Sequence, residues 1–300
     1  MKIYKSENYI NEKLTIQPFT KDRLSDYKKP SVDEETIRFI EENNLIWNPV
    51  TKSYDCDGDV KISEDMVIDG KFKIRFGKVD GNFDCSYNIL ISLEGAPQKI
   101  GRNFYCNNNK LTTLEGAPNE VGGSFNCSSN SLTTLKGTPN MVGGNFRCSF
   151  NNLTTLEGAP QEVGGNFDCY NNKLTTLEGA PQKVDGDFDC CRNKLTTLEC
   201  APQKVGRNFY CSNNKLTTLE GAPQKVYGDF YCDRNNLTSL KGAPNEVSGI
   251  FSCSDNKLTT LKGTLNEVGS DFYCNRNNLT TLEYAPQKIG GNFYHRNNKI

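Results

Sequence analysis

The strongest constraint on this chain is a unit of 21 residues that recurs over nearly three quarters of its 300 residues. One full copy spans residues 166–186 and reads NFDCYNNKLTTLEGAPQKVDG. A unit this short cannot bury its own apolar side chains, so successive copies have to stack and share one continuous core. The repeat therefore predicts a solenoid, mostly β with turns, rather than one or two globular domains.

The apolar positions of the repeat predict which side chains fill this core. Phe167 and Cys169 are two residues apart, so they face the same side of a strand, and we predict that this side is inward. Leu174, Leu177 and Val184 supply the other inward positions of the coil. Phe occupies its position in all eleven copies, which is the behaviour expected of a core residue.

The cysteines fall mostly on one register of the repeat. A disulfide framework would need pairs, whereas one thiol per coil at a fixed spacing indicates a single structural position, predicted to hold buried, reduced thiols. Cys191 lies off this register and is predicted to point outward, where it can oxidise. The cysteines on the register are Cys85, Cys106, Cys127, Cys148, Cys169, Cys190, Cys211, Cys232, Cys253 and Cys274.

One polar position of the repeat is also invariant, from Asn88 to Asn298. A hydrophobic core does not explain an invariant amide. A ladder of inward asparagines does, because each side chain can bond backbone groups of its own coil and of the next coil. Gly179 and Pro181 are predicted to turn the chain after this ladder.

The motif F-x-C-x-x-N-x-L-T-x-L resembles the leucine-rich-repeat signature L-x-L-x-x-N-x-L, with Phe and Cys in two Leu positions. The L-T-x-L continuation and the short period resemble the bacterial and phage type with repeats of about 20 residues. The resemblance covers residues 79–300. It implies a leucine-rich-repeat coil stack of about 10–11 coils.

The residues before the repeats predict a small α+β cap over residues 31–78, which would cover the open apolar end of the stack. Ser31 and Glu34 have the spacing of a capping box, and a helix is predicted over residues 32–43. Trp47 is predicted to pack on the first coil. Residues 52–78 alternate like short strands, and their predicted turns are Asp57-Gly58 and Asp69-Gly70.

Both ends of the sequence carry further expectations. Residues 1–30 are predicted to form a flexible leader, and they resemble the head-targeting leaders of tailed-phage internal proteins, which implies a cut after Glu12. The sequence stops at Ile300, in the Leu position that would open another turn, and no C-terminal cap is recognisable. We expect the natural chain to continue. The alternatives are that the last coil frays or is covered, as in end-to-end association through the uncapped C-terminus.

Composition and motifs exclude several classes of function. The chain has 35 basic and 36 acidic residues, so no global field favours nucleic acid or an anionic membrane. No apolar run is long enough to span a bilayer and no secretory signal opens the chain, which predicts an intracellular location in a bacterial or phage-infected cytoplasm, with the virion as the alternative.

We find no catalytic constellation, cofactor motif or metal site. The single histidine, His295, occupies the Cys position of the last strand. The acidic run over residues 55–59 has its glycine in the wrong place for a calcium loop and is better explained by a hairpin turn. The chain is therefore predicted not to be an enzyme. Catalytic residues would have to lie on a further domain.

Variation concentrates at the outward strand position between Phe and Cys. Tyr and Arg are enriched at interface centres, so these side chains predict a partner-binding face, with Arg192, Arg234 and Arg276 alongside. Tyrosine also suits strands by propensity and cross-strand stacking, and that explanation stays open. The candidate binding residues are Tyr105, Arg147, Asp168, Asp189, Tyr210, Tyr231, Tyr273 and Tyr294.

The resulting hypothesis is a protein–protein interaction module that binds a protein partner through its outward strand face. The alternative is a structural or head-packaged phage-type component, with the N-terminus acting as an address.

Overall fold

A computed structural model describes residues 29–300. Each coil of the repeat contributes two short strands, one beginning at the Phe position and one ending at the Val position. Strands at the same position of successive coils pair in parallel and in register, as Phe167 does with Phe188 and Val163 with Val184. This architecture confirms the predicted solenoid.

The Phe strands continue one 12-stranded sheet that starts at β3 (Val60–Lys61) of the N-terminal region. Their bounds are β7 (Phe83–Asp84), β9 (Phe104–Tyr105), β11 (Phe125–Asn126), β13 (Phe146–Arg147), β15 (Phe167–Asp168), β17 (Phe188–Asp189), β19 (Phe209–Tyr210), β21 (Phe230–Tyr231), β23 (Phe251–Ser252), β25 (Phe272–Tyr273) and β27 (Phe293–Tyr294).

The Val strands form the second face of the coils: six of them continue a nine-stranded sheet that begins with three strands of the N-terminal region, and the last four form a separate sheet. Their bounds are β8 (Lys99–Ile100), β10 (Glu120–Val121), β12 (Met141–Val142), β14 (Glu162–Val163), β16 (Lys183–Val184), β18 (Lys204–Val205), β20 (Lys225–Val226), β22 (Glu246–Val247), β24 (Glu267–Val268) and β26 (Lys288–Ile289).

The apolar positions of the repeat fill the space between these sheets. Phe167, Cys169, Leu174 and Leu177 are fully buried, and the same positions are buried along the stack. Phenylalanine rings of successive coils stack on one another; the centroids of Phe167 and Phe188 lie 5.5 Å apart with the ring planes 10° from parallel. Because successive rings cover each other along the axis, this core depends on the stacking of the coils.

The cysteines of the register form a second buried column, and all thirteen cysteines of the chain are free. Burial raises the pKa of the Cys169 thiol well above its ordinary value. The Sγ of Cys169 lies 3.2 Å from the carbonyl oxygen of Asp189, to which the thiol donates. The Cys169 thiol is therefore neutral and packs as a small apolar side chain.

The invariant asparagines bond backbone groups of two coils. The side-chain amide of Asn172 donates to the carbonyls of Cys169 at 3.1 Å and Cys148 at 3.0 Å. Its Oδ1 accepts from the N–H of Leu153 at 3.1 Å. The same set recurs from Asn109 to Asn277. The second coil is the preceding one, whereas the repeat alone suggested the next.

The chain enters the solenoid through helix α1 (Glu34–Glu42). Its N-cap is Asp33, whose carboxylate accepts from the N–H of Thr36 at 2.8 Å. The capping box predicted at Ser31 is therefore wrong by two residues, because the carboxylate of Asp33 already satisfies the first turn. On its inner side α1 buries Phe39.

The strand that follows places the only tryptophan. In antiparallel pairing, β1 (Ile46–Asn48) lies beside β2 (Ser53–Cys56). The Trp47 ring packs edge-on against Tyr54, with the ring centroids 5.1 Å apart. Strand β2 continues the sheet of Val strands, so Trp47 packs at the N-terminal end of the stack.

Residues that the sequence assigned to the cap already form a coil of the stack. Strand β2 pairs in parallel with β6 (Phe76–Val79), and β3 pairs in parallel with β7. The turn at Asp57-Gly58 joins strands of two different sheets, so the hairpin predicted there is wrong. The predicted boundary between residues 78 and 79 likewise falls within β6. This coil is longer than the repeat, and its divergent sequence hid it.

The extra length of this coil lies in a short excursion. It contains a 3-10 helix (Glu64–Met66) and an antiparallel hairpin of β4 (Val67–Ile68) and β5 (Lys71–Phe72). Asp69 and Gly70 connect the two strands with φ values of 50° and 75°. Positive φ at both central residues is the geometry that suits a two-residue hairpin turn.

The leader over residues 1–30, with its cut after Glu12, lies almost entirely outside the described residues and stays a prediction. Within residues 29–300, no helix has the length and apolar character needed to cross a bilayer.

The sheet of Val strands is interrupted between β18 and β20, at the residue that follows Val. In the preceding coil this residue is Gly206, whose N–H donates to Val184 at 2.9 Å. A Cβ at Gly206 would lie 2.1 Å from the carbonyl oxygen of Asp185. Tyr227 fills this position one coil later, and within residues 29–300 its N–H makes no bond to Val205. Asp185 and Ser248 keep the equivalent bond, so a side chain alone does not remove it, and the interruption coincides with the largest residue at this position.

The asparagine ladder leads to a stability prediction. Asn172→Ala would leave the buried N–H of Leu153 without a partner and would remove one of the two amide donors from the carbonyls of Cys148 and Cys169. We therefore expect a loss of about 1–3 kcal/mol in the free energy of unfolding, measured by urea denaturation. The control is Asn152→Lys, which places at an outward position the residue that Lys173 supplies one coil later. It should change stability by less than about 0.5 kcal/mol. Equal losses in both variants would contradict the ladder's role.

Thiol reactivity provides a second test of the core. Cys200 is the only cysteine that is exposed. Because the thiolate is the reactive form and burial raises the pKa of the ladder thiols, we expect a single fast-reacting thiol when the native protein is titrated with a thiol reagent near neutral pH. Cys200→Gly restores the residue of the other coils and should abolish that fast phase. A fast phase that persists in this variant would contradict the burial of the cysteine column.

Candidate interaction surface

The candidate binding residues form one row, which we call the strand row. It consists of the second residue of every Phe strand, from Asp84 to Tyr294, and neighbouring members are paired across the parallel sheet. The fold brings all the predicted residues together in this row: Tyr105, Arg147, Asp168, Asp189, Tyr210, Tyr231, Tyr273 and Tyr294. Each is half-buried except Arg147, which is exposed.

Tyrosines of the strand row stack in two pairs. The rings of Tyr210 and Tyr231 lie 5.6 Å apart at an angle of 21°, and those of Tyr273 and Tyr294 lie 4.4 Å apart at 7°. Between the pairs stands Ser252, which is buried, and whose hydroxyl donates to Asp233 at 2.5 Å. The C-terminal half of the row is therefore an aromatic surface with one ring missing.

Carboxylates accompany these tyrosines and keep them protonated. The hydroxyl of Tyr273 donates to Asp271 at 2.9 Å, and this bond raises the pKa of Tyr273 to about 12. Burial, followed by the charges of Asp187 and Asp229, raises the pKa of Tyr210 to about 12. Hydrogen bonds from the backbone of Asn292 and from Tyr273 lower the pKa of Asp271, so its carboxylate is ionised at neutral pH.

The middle of the strand row is acidic. Asp168 and Asp189 are direct neighbours across the sheet. Burial raises the pKa of Asp189, and the charge of Asp168 raises it further. The hydroxyl of Ser149 donates to Asp168 at 3.2 Å, which provides partial compensation.

A second row beside the strand row was only partly recognised from the sequence. It contains the residue before each ladder asparagine, and every member adopts positive φ, including Phe150 at 55° and Arg192 at 53°. Bulky side chains seldom adopt this conformation, so these positions are costly for the fold. Phe150 is 51% exposed and lies 5.4 Å from the ring of Tyr170, over which the Arg192 guanidinium also sits at 5.4 Å.

Cys191 belongs to the same face but is not accessible. Its side chain is 8% exposed, and burial raises the pKa of its thiol. The N–H of Cys191 donates to the carboxylate of Asp189 at 2.8 Å. The prediction that Cys191 can oxidise as an outward thiol is therefore wrong, because its side chain is buried.

Sequence reasoning missed a second ladder, which we call the oxygen ladder. The side-chain oxygen of the residue before each Phe accepts the N–H of the same residue one coil later, as Asn166 does from Asp187 at 3.0 Å. A Cβ at Gly186 would lie 2.2 Å from that Asn166 oxygen. The recurrence of Asn, Asp or Ser before Phe, together with this glycine, was the available signal.

Ile250 interrupts the oxygen ladder. Its own N–H donates to Asp229 at 2.8 Å, but its side chain has no oxygen for the N–H of Asp271. Among the described residues, this rung is the one missing between Asp59 and Asn292. Ile250 lies in the same coil as Ser252, so two departures from the repeat coincide on the strand face.

Restoring the rung should stabilise the protein. Ile250→Asn supplies an acceptor for the Asp271 N–H, and we expect a gain of about 0.5–1.5 kcal/mol in the free energy of unfolding, measured by urea denaturation. The matched control, Asn208→Ile, removes a rung elsewhere and should destabilise by a similar amount. A destabilised Ile250→Asn variant would show that Ile250 is retained for packing rather than for the surface.

Each coil carries inward Phe and Cys on one strand, a buried asparagine in the following turn and two inward leucines after it. This order of positions, in a stack of parallel strands, is the arrangement that the leucine-rich-repeat signature describes. The chain folds as a leucine-rich-repeat solenoid.

No protein-family model matches the sequence, and no curated protein matches it. Among solved structures, the solenoid is similar to YopM from Yersinia enterocolitica WA-314, with 17% identity over 80% of this chain and 64% of that one and a TM-score of 0.47. It is also similar to the functional domain of InlJ from Listeria monocytogenes, which includes a cysteine ladder, with 24% identity over 72% of this chain and 48% of that one and a TM-score of 0.49.

A third similar structure is YopM from Yersinia pestis, a leucine-rich effector protein, with 14% identity over 80% of this chain and 77% of that one and a TM-score of 0.38. The chain thus spans 64% and 48% of the lengths of the first two structures.

Proposed function

We propose that this leucine-rich-repeat solenoid is a non-enzymatic interaction module that binds a protein partner through the strand face, meaning the strand row and the positive-φ row beside it. The observation that carries the proposal is that the repeat does not fix the type of residue in the strand row. Asp84, Asn126, Arg147 and Ser252 occupy the same position as the tyrosines, while the flanking Phe does not vary and the flanking Cys is replaced only once, by His295. The fold therefore accepts acidic, basic, small polar and aromatic residues there.

The side chains that fill this free position are those that protein interfaces favour. Tyrosine provides a large apolar ring with a polar tip, and arginine provides a planar donor, so both concentrate at energetically important interface positions. The tyrosines from Tyr210 to Tyr294 span five coils, or about 19 Å at about 4.8 Å per strand. A surface of this length fits an extended segment or a loop of a partner protein.

The exposed second row supports the same face. Phe150 combines a costly backbone conformation with half-exposure to solvent. Neither property stabilises the coil, so both are better explained by contact with a partner.

Two tyrosines allow the proposal to be tested. The Tyr231→Ala, Tyr273→Ala double variant should keep the fold, because both side chains lie outside the core. We expect affinity for the partner, purified from cells that naturally produce the protein and measured by calorimetry, to fall by about thirtyfold or more, as for interface hot spots.

The control is Thr175→Ala with Thr259→Ala, which removes exposed side chains from another face of the coils. It should bind like the unmodified protein. Unchanged affinity in the tyrosine variant, or an equal loss in the threonine variant, would show that the strand face is not the binding site.

A further inference from the structure

The strand face contains a gap of one side chain, which we call the tyrosine gap. Its two ends are Tyr231 and Tyr273, and its floor is Ser252 and Ile250 of the coil between them. Tyr231 stacks on Tyr210 and Tyr273 stacks on Tyr294, each on the side away from the gap. Because a ring stacked on one side presents its other face along the same axis, the free faces of Tyr231 and Tyr273 are turned toward each other.

The width of the gap follows from the core beneath it. In the same three coils the inner rings of Phe230, Phe251 and Phe272 stack continuously, with centroid separations of 5.4 and 5.6 Å. The coil spacing therefore accommodates one planar group between two flanking rings. In the strand row that middle ring is absent, because Ser252 replaces an aromatic residue. A planar group in the gap would lie about 5 Å from each tyrosine ring.

The charges around the gap are acidic. Asp229 and Asp271 stand before the Phe of the two flanking coils, and Asp271 accepts the Tyr273 hydroxyl. Asp233 accepts the hydroxyl of Ser252 on the floor. Burial raises the pKa of Tyr231, and the charges of Asp229, Asp233 and Asp271 raise it further.

The basic residues nearby lie in the neighbouring positive-φ row. Arg276 is paired with Asp255 at 3.5 Å, with its side chain largely exposed. Arg234 is exposed and follows Asp233 directly. Ile250, on the floor of the gap, is half-buried.

Resting on the proposed function, we propose that the tyrosine gap binds an arginine side chain of the partner protein. A guanidinium is planar, so it can stack between the two tyrosine faces, within the roughly 6 Å over which a cation is attracted to a ring. Its fixed donors suit the carboxylates of Asp229 and Asp271. The aliphatic part of the arginine chain packs on Ile250. A lysine carries the charge but lacks the planar group, and a neutral planar side chain lacks the positive charge that the carboxylates attract.

The irregularities of this coil support a recognition site. Ser252 and Ile250 each break a regular feature of the stack, and the loss of the oxygen-ladder rung at Ile250 has a cost in stability. Substitutions that cost stability without serving packing are expected where a surface is shaped for binding.

The test is a titration of the full chain, labelled with nitrogen-15, with a capped peptide that contains a single arginine between glycines. We expect saturable shifts of the amide resonances of Ile250 and Ser252. The matched lysine peptide should bind about fivefold or more weakly, and the citrulline peptide, which is planar but neutral, should bind about tenfold or more weakly. Equal binding of citrulline, tighter binding of lysine, or no saturable shift at these residues would overturn the proposal.

Two variants and one control test whether arginine binds in the tyrosine gap. Ser252→Tyr fills the gap with the side chain of its neighbours and should abolish the arginine-dependent shifts, whereas Asn126→Tyr makes the same change between Tyr105 and Arg147 and should leave them intact. Asp271→Asn retains a ladder oxygen but removes the charge, so it should weaken arginine binding about fivefold or more. Arginine binding that survives both Ser252→Tyr and Asp271→Asn would overturn the proposal.

Partner affinity separates this proposal from the broader one. If the double tyrosine variant loses the partner while Ser252→Tyr binds it normally, the strand face is the site and the arginine gap is wrong. If the double tyrosine variant also binds normally, both proposals are wrong. Loss in both variants, with the arginine peptide bound only by chains that retain the gap, supports both.

Discussion

Hydrogen bonding between coils is the constraint on which the rest of this structure depends. A 21-residue coil turns too tightly to satisfy its own backbone, and the ladder asparagine corrects this by bonding carbonyls of two coils and an N–H of the preceding one. When one coil stacks on another, its backbone polar groups are therefore hydrogen-bonded and its apolar face is covered in the same step. The stacked phenylalanines and the neutral cysteine column are consequences of that arrangement.

Most of the solenoid could be predicted because each coil repeats the same physical solution. Phe167, Cys169, Leu174 and Leu177 lie where the period places them, since an inward position admits few substitutes. The N-terminal coil was missed for the opposite reason. Its strands β2 and β3 satisfy the same pairing with a different sequence and a longer excursion, so periodicity could not reveal it.

The candidate surface was predictable in position but not in detail. The outward register of Tyr231 and Tyr273 follows from strand alternation alone. The covering of Cys191, the carboxylate beside Tyr273 and the missing rung at Ile250 depend on which side chains stand one coil away. Those neighbours are 21 residues distant in the sequence. The pattern of a single repeat therefore does not show which side chains lie next to each other on adjacent coils.

The interrupted sheet at Tyr227 divides the solenoid mechanically. On one side of the coils the Phe strands form a continuous sheet across this point, but on the other side the Val strands do not. One backbone bond next to the interruption remains, from the N–H of Gly228 to the carbonyl of Arg207 at 3.0 Å, so the two stacks are joined more weakly on this side than along the sheet of Phe strands. Local opening of the stack should therefore begin between β18 and β20, so that the coils carrying Tyr231, Tyr273 and Tyr294 form a separate cooperative unit. A partner that binds both Tyr210 and Tyr231 would connect the two coils on either side of the interruption through the strand face, and so oppose this opening.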